Sequence, residues 1–387
     1  MDSSTMVEEL DLNNLKALKV LGKGAMGTVF LVQHHHHHHM ALKVVDKSSL
    51  HDADRRARWE INVLSRLSHP FLPSLISTFE SDSLLCYALP YCPGGDLNHL
   101  RHRQVDHVFS PAAIRFYLAE ILSALHHLHS LGIAYRDLKP ENVLIQQNGH
   151  VTLTDFDLSR VLSHKTITAQ TEIITVADTP RKSRRWNRNP LFSNGPTAKS
   201  ARVNPESRRT PSLSDGERSN SLVGTEEYVA PEVVRGDGHE FAVDWWALGV
   251  LCYEMMYGTT PFKGRNRKET FRNVLVKSPE FVGKKTALTD LISRLLEKDP
   301  EERLGYVHGA SEIKEHEFFR GVKWDMLTEV ARPPFIPSRD DAATAADRCS
   351  AGVDIREYFK SLNSPPSLTP SPLPSPPSSP SVSFAEF

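Results

Sequence analysis

The chain has 387 residues, of which 39% are hydrophobic and 24% charged, and its formal net charge is −1. That length suits one large two-lobed domain or two average ones, and the near-zero charge gives no bulk argument for a nucleic-acid or membrane partner. Cys86, Cys92, Cys252 and Cys349 form no CxxC pair, which speaks against a disulfide framework or a structural zinc site and for a reducing compartment.

The acidic start MDSSTMVEELDL lacks a basic-then-apolar leader, and residues 1–14 are read as an extension. From about residue 15 to 90 apolar and polar positions alternate, and KALKVLGKG, GTVFLVQ and MALKVVDK are predicted to be three antiparallel strands. The run His34–His39 falls between the last two strands. It is read as a solvated hairpin loop, not a metal site, because metal ligands need fixed geometry and supporting hydrogen bonds. Arg55–Leu67 breaks the alternation: Ala57, Ile61, Leu64 and Leu67 recur at helical spacing. Beyond residue 93 the pattern is helical, with Ile114, Tyr117, Leu118, Ile121, Leu125 and Leu128 on one face of a helix and two further helices in FAVDWWALGVLCYEMMYG and LTDLISRLLEKDP. The stretch Phe241–Gly258 contains Asp244 and Glu254, so it is predicted to be a buried helix and not a membrane span. The expected fold class is α+β, a small β-rich lobe followed by a large helical lobe.

Two segments do not resemble packed core. Residues 161–217 are rich in Ser, Thr, Asn and Arg and read as a disordered insertion. Residues 364–383 hold eight Pro and eight Ser in 20 positions, a composition for extended, unpacked chain.

Phosphoryl transfer needs a cradle for the phosphates, a cation on them, magnesium ligands and a group that positions the acceptor hydroxyl. The cradle candidate is Leu21, Gly22, Lys23, Gly24, Ala25, Met26, Gly27, Thr28 and Val29. A strand follows it, where a dinucleotide-binding loop would open a helix. Lys43 sits on an apolar strand, where an unpaired charge is costly, and Glu60 on the next helix is its natural partner. In Tyr135-Arg136-Asp137-Leu138-Lys139-Pro140-Glu141-Asn142, Asp137 is suited to orient the hydroxyl, Lys139 to hold the γ-phosphate and Asn142 to bind magnesium. Asp155, 18 residues beyond Asp137, offers a second metal ligand.

These motifs resemble the eukaryotic protein kinases, and Gly224-Thr225, Ala230-Pro231-Glu232, Asp244 and Arg303 continue the match over about residues 15–320. Asp155-Phe156-Asp157 in place of Asp-Phe-Gly, the long insertion before Ala230 and the ending Phe384-Ala385-Glu386-Phe387 are similar to the AGC group, and within it the plant AGC VIII branch that includes the UNICORN kinases. The resemblance implies a kinase domain over 15–319, a C-terminal tail over 320–387, ATP and Mg²⁺ as cofactors, and a monomer. It implies a buried Glu232–Arg303 pair and a catalytic loop capped from beneath by Asp244. Leu89 would be the gatekeeper, backbone groups of Pro90 and Cys92 would meet adenine, and Asp96 would face the ribose or an incoming arginine. Asp96, Glu141 and Glu254 would favour protein substrates with Arg upstream of the acceptor. Ser221 would be the activating phosphorylation site, and Phe384 and Phe387 would recruit an upstream phosphoinositide-dependent kinase. The basic run around Arg181–Arg185 suits a nuclear address or contact with anionic lipid, so cytoplasm and nucleus are expected, with the plasma-membrane edge as alternative. Asp157 restricts φ where glycine normally flips; it either stiffens the loop or adds a carboxylate near the metals. A pseudokinase scaffold is the competing reading, but it usually lacks Lys43, Asp137 or Asp155.

Overall fold

The computed structural model describes residues 8–9, 15–24, 27–34, 38–48, 52–162, 225–238, 240–329, 333–337 and 354–363. The small lobe is a six-stranded sheet of β1 (Glu8–Glu9), β2 (Lys16–Gly24), β3 (Gly27–His34), β4 (His38–Asp46), β5 (Ser77–Glu80) and β6 (Leu84–Pro90), in the order β1-β5-β6-β4-β3-β2. The three strands expected from alternation are β2, β3 and β4. His34 pairs with His38 and Gln33 with His39, so the ends of the histidine run belong to strands. His35–His37 lie outside the described residues.

Cross-strand register sorts the side chains into two faces. On one face Lys43 is flanked by Val29 and Tyr87, and Ala41 by Leu31 and Leu89. On the other, Phe30, Leu42 and Ala88 line up, and so do Thr28, Val44 and Cys86. Helix α1 (Ala53–Leu64) covers the first face and buries Ala53, Ala57, Glu60, Val63 and Leu64, the stripe that helical spacing demands. The helix starts two residues before its predicted position and ends at Leu64, where the chain turns.

The second face is covered from far along the chain. Residues 355–363 (Ile355–Asn363) form a helix, labelled α9 once the large lobe's helices are counted. Ile355 and Phe359 are buried in the cluster formed by Ala17, Phe30, Val32, Leu42, Val44 and Cys86, and the Phe30 ring lies 5.3 Å from Tyr358 and 6.3 Å from Phe359. The expected C-terminal tail thus contributes a helix to the small lobe.

In the large lobe α2 (Leu97–His102), α3 (Pro111–Ser130), α4 (Pro231–Arg235), α5 (Ala242–Tyr257), α6 (Arg267–Val276), α7 (Ala287–Leu295) and α8 (Ala310–Lys314) precede α9. Helix α3 starts at a favourable site: Ser110 accepts a hydrogen bond from Ala113 N at 3.2 Å and Pro111 follows it. Helix α5 is buried on nearly all sides, as its apolar sequence predicts; no helix among the described residues is long and apolar enough to cross a membrane. Two small ribbons, β7 (Ile133–Ala134) with β10 (Arg160–Val161) and β8 (Val143–Ile145) with β9 (Val151–Leu153), lie between α3 and α4 in the chain. They hold the loops that carry the chemistry.

Candidate active site

The loop between β7 and β8 is fixed from below. Asp244, fully buried in the first turn of α5, accepts from Tyr135 N at 2.9 Å and Arg136 N at 2.7 Å, and His129 Nε2 lies 2.7 Å from its carboxylate. These contacts hold Arg136 at φ 71°, a left-handed conformation costly for a residue with a side chain. The strained turn presents Asp137. Lys139 Nζ donates to Asp137 Oδ2 at 2.8 Å, and Asn142 Nδ2 donates to the same oxygen at 2.8 Å and to the Asp137 carbonyl at 2.9 Å. Burial pushes the Asp137 carboxyl up, against the lowering pull of Lys139 and Asn142. The result is a buried carboxylate with a cation and an amide fixed beside it.

The second centre joins the lobes. Lys43 Nζ lies 2.7 Å from Glu60 Oε2 and 2.9 Å from Asp155 Oδ1. Burial opposes the Lys43 charge, but Glu60, Tyr87 and Asp155 outweigh it and hold its pKa well above the ordinary value. Burial likewise disfavours the Asp155 anion, and Lys43 reverses this so that the carboxyl sits below its usual range. Glu60 has further partners: Tyr87 Oη donates to Oε2 at 2.6 Å and Phe156 N to Oε1 at 3.3 Å. A buried carboxylate with three donors is a satisfied anion.

At the phosphate flap, Gly24 pairs with Gly27 to close the β2–β3 hairpin, with Leu21, Gly22, Lys23 and Gly24 exposed. Ala25 and Met26 lie outside the described residues. Gly27 has φ 156°, and a Cβ there would collide with the Val44 carbonyl, so only glycine fits. Thr28 is buried and Val29 half-buried. At the junction of the lobes, buried Leu89 is paired with Ala41, Pro90 ends β6, and half-buried Cys92 follows. Asp96 caps α2, accepting from His99 N at 2.7 Å. Glu141 accepts from Asn98 Nδ2 at 3.1 Å, which places it beside the same helix. Glu254 is already engaged: Arg101 lies 3.2 Å away and Tyr228 Oη donates to it at 2.5 Å. The Glu232–Arg303 pair is bidentate, at 2.7 and 2.9 Å, and buried.

Residues 15–177 and 208–319 match the protein kinase domain family. This chain is a protein kinase. It is 59% identical to serine/threonine-protein kinase UCNL of Arabidopsis thaliana, over 97% of its own length and 95% of that protein's. It is 58% identical to serine/threonine-protein kinase UCN of the same plant, over 92% of each chain, and 46% identical to serine/threonine-protein kinase OXI1, over 91% and 86%. The resemblance to plant AGC kinases of the UNICORN type is borne out by these relatives, and a protein kinase takes ATP as its phosphoryl donor.

The kinase fold brings together Lys43, Glu60, Asp137, Lys139, Asn142 and Asp155. Ser221, the basic insertion, Phe384 and Phe387 lie outside the described residues. Sequence reasoning missed Tyr87 as a partner of Glu60, because the run LLCYALP carries no signal for it; only the register Lys43↔Tyr87 brings it to the site. It also missed His129 beneath the catalytic loop and the contact of Asp157 with Arg56 at 3.3 Å. Of the two readings left open for Asp157, stiffening or an extra metal ligand, neither anticipates a carboxylate paired with α1.

Proposed function

We propose that this kinase is catalytically active on serine and threonine hydroxyls of proteins, with Asp137 as the group that orients the acceptor. The observation that carries the reading is the continuous set of ion pairs Glu60–Lys43–Asp155 beside the Lys139–Asp137–Asn142 cluster. The acceptor oxygen attacks Pγ as the bond from Pγ to the bridging oxygen breaks, and the hydroxyl proton leaves toward Asp137. Lys139 faces the charge on the γ-phosphate, and Lys43, held by Glu60, faces the α- and β-phosphates. Asn142 directs its amide nitrogen to Asp137, which leaves its amide oxygen for a cation. With the Asp155 carboxylate this makes a pair of hard oxygen donors, the set that Mg²⁺ accepts when phosphates complete its shell. Among the described residues no three His, Cys, Asp or Glu side chains form a metal site of their own, in keeping with a cation shared with the nucleotide. Bound Mg²⁺ supplies charge neutralisation on the phosphates. The test is transfer of labelled γ-phosphate to a generic basic protein. Asp137→Asn should lose it, and a wild-type rate no higher than that variant's would reject the reading.

Finer assignments rest on the AGC resemblance. Asp96 and Glu141, near one another around α2, suit an arginine upstream of the acceptor, with Glu254 contributing through the pair it makes with Arg101. A positional peptide library without upstream Arg preference would overturn this. Ser221 is proposed as the activating phosphosite, and Phe384 and Phe387 as the docking pair for an upstream phosphoinositide-dependent kinase. Phosphate mapping on a Phe384→Ala, Phe387→Ala variant tests both, since Ser221 should lose its phosphate. The basic insertion is proposed as an address for the nucleus or an anionic membrane surface. Deleting Arg181–Arg209 should redistribute a fluorescent fusion.

A further inference from the structure

Asp157 stands where the kinase resemblance leads one to expect glycine, and the backbone gives no reason for either residue. Within Asp155-Phe156-Asp157 it is Asp155 that takes a positive φ, 61°, while Asp157 is not among the non-glycine residues in that region. The Asp157 side chain is only 8% exposed, and its Oδ2 lies 3.3 Å from Arg56 Nη1 on α1. Two other links run alongside. Trp59 Nε1 donates to Ser159 Oγ at 3.1 Å, and Phe156 N donates to Glu60 Oε1 at 3.3 Å. Ser159 is itself fixed, being buried and donating through its backbone N to the Phe156 carbonyl at 3.0 Å.

Arg56, Trp59 and Glu60 stand at i, i+3 and i+4, one stripe along the helix. Their partners Asp157, Ser159 and Phe156 come from the five residues that begin with Asp155. The segment is thus stitched along the side of the helix that presents Glu60 to Lys43. Of the three links, the one between Arg56 and Asp157 joins opposite charges, and a glycine would have no side chain to make it.

We propose that Asp157 is a positioning residue: through Arg56 it holds α1 against the segment following Asp155, and so keeps Glu60 on Lys43. This rests on the kinase reading above. The orientation of Glu60 is then set from two sides, by Lys43 in the small lobe and by Asp157 on the segment that leads out of the metal-binding turn. The departure from glycine is a gain of a tether and not a loss of a hinge.

The test uses the full chain carrying Asp157→Ala, Arg56→Met or both, with ATP varied against a basic protein acceptor at saturating Mg²⁺. Each single variant should lower kcat/KM for ATP about three- to tenfold, and the double should lose no more than the worse single, the mark of two residues acting through one contact. The loss should include a higher KM for ATP, whereas mere loss of folded enzyme lowers kcat alone. Arg56→Lys should retain most of the activity. Amide hydrogen exchange in residues 57–64 should quicken in both singles. An unchanged Arg56→Met enzyme, beside an Asp157→Ala enzyme that needs more Mg²⁺ for half its maximal rate, would place the carboxylate at the metal and overturn the proposal. Losses that simply multiply in the double would also overturn it. If the wild type transfers no more phosphate than Asp137→Asn, the kinase reading has failed, and the exchange measurement still decides whether the tether exists.

Discussion

On β4 and β6 the side chains alternate between two environments a residue apart. Lys43 and Tyr87 face α1, where they meet Glu60, while Leu42, Val44, Cys86 and Ala88 face α9 and meet Ile355 and Phe359. The first face is held by charges and hydrogen bonds that each depend on one named partner. The second is held by dispersion and burial spread over many atoms. The difference teaches how one thin sheet serves catalysis and stability at once: the polar face is specified by pairing, and the apolar face supplies the rigidity that lets the pairing hold its geometry.

The largest expected break of this contrast is Lys43→Met. Transfer should fall roughly a hundred- to a thousandfold, the effect of removing one fixed charge from a phosphoryl site. The same change strands Glu60, which is 1% exposed, as a buried charge without its cation, at a cost of about 3 kcal/mol, the low end because Tyr87 still donates. Adding Glu60→Gln should restore most of the stability in urea unfolding and none of the activity. Stability that stays low in the double variant would show that the pair is not the source of the loss.

On the apolar face Phe359→Ala should behave in the opposite way. Emptying a buried aromatic site costs about 3 kcal/mol, while kcat per folded molecule should remain at the wild-type value. A large fall in kcat with unchanged unfolding would mean that α9 acts on catalysis directly. The smallest effect concerns Cys86, whose thiol burial pushes up to about 12. In the native chain it should resist alkylation at mildly alkaline pH, and Phe359→Ala should speed its labelling. Cys252, buried in the large lobe and pushed up by the same cause, should stay slow in both. Equal rates at Cys86 with and without Phe359 would show that the helix does not shield it.

Much of the small lobe was legible because its strands obey period two and its glycines sit where backbone must approach backbone. The catalytic loop was legible because Asp137, Lys139 and Asn142 are close in sequence and their roles demand those side chains. Tyr87 was hidden because register between strands decides its neighbour. Arg56–Asp157 was hidden because its residues are 101 apart and nothing in the sequence around Arg56 points to the loop after Asp155. The helix at Ile355 was hidden for a compositional reason: nine residues within a stretch read as tail carry no sign of the sheet they cover. At Glu254 the structure adds a partner that the sequence did not announce, since Arg101 of this same chain lies beside the carboxylate.

The placement of α9 has a consequence for how the chain is made. Synthesis runs from the first residue to the last, and domains generally fold in that order. Here Phe30 emerges from the ribosome well before Phe359, which packs on it, with the large lobe made in between. The sheet, made before the large lobe, is therefore finished after it, with its outer apolar face uncovered in the meantime. Closing that contact joins residues far apart in sequence, the kind of long-range pairing that slows folding. Nascent chains halted before residue 355 should accordingly be held by chaperones through the small lobe, although it is made before the large one.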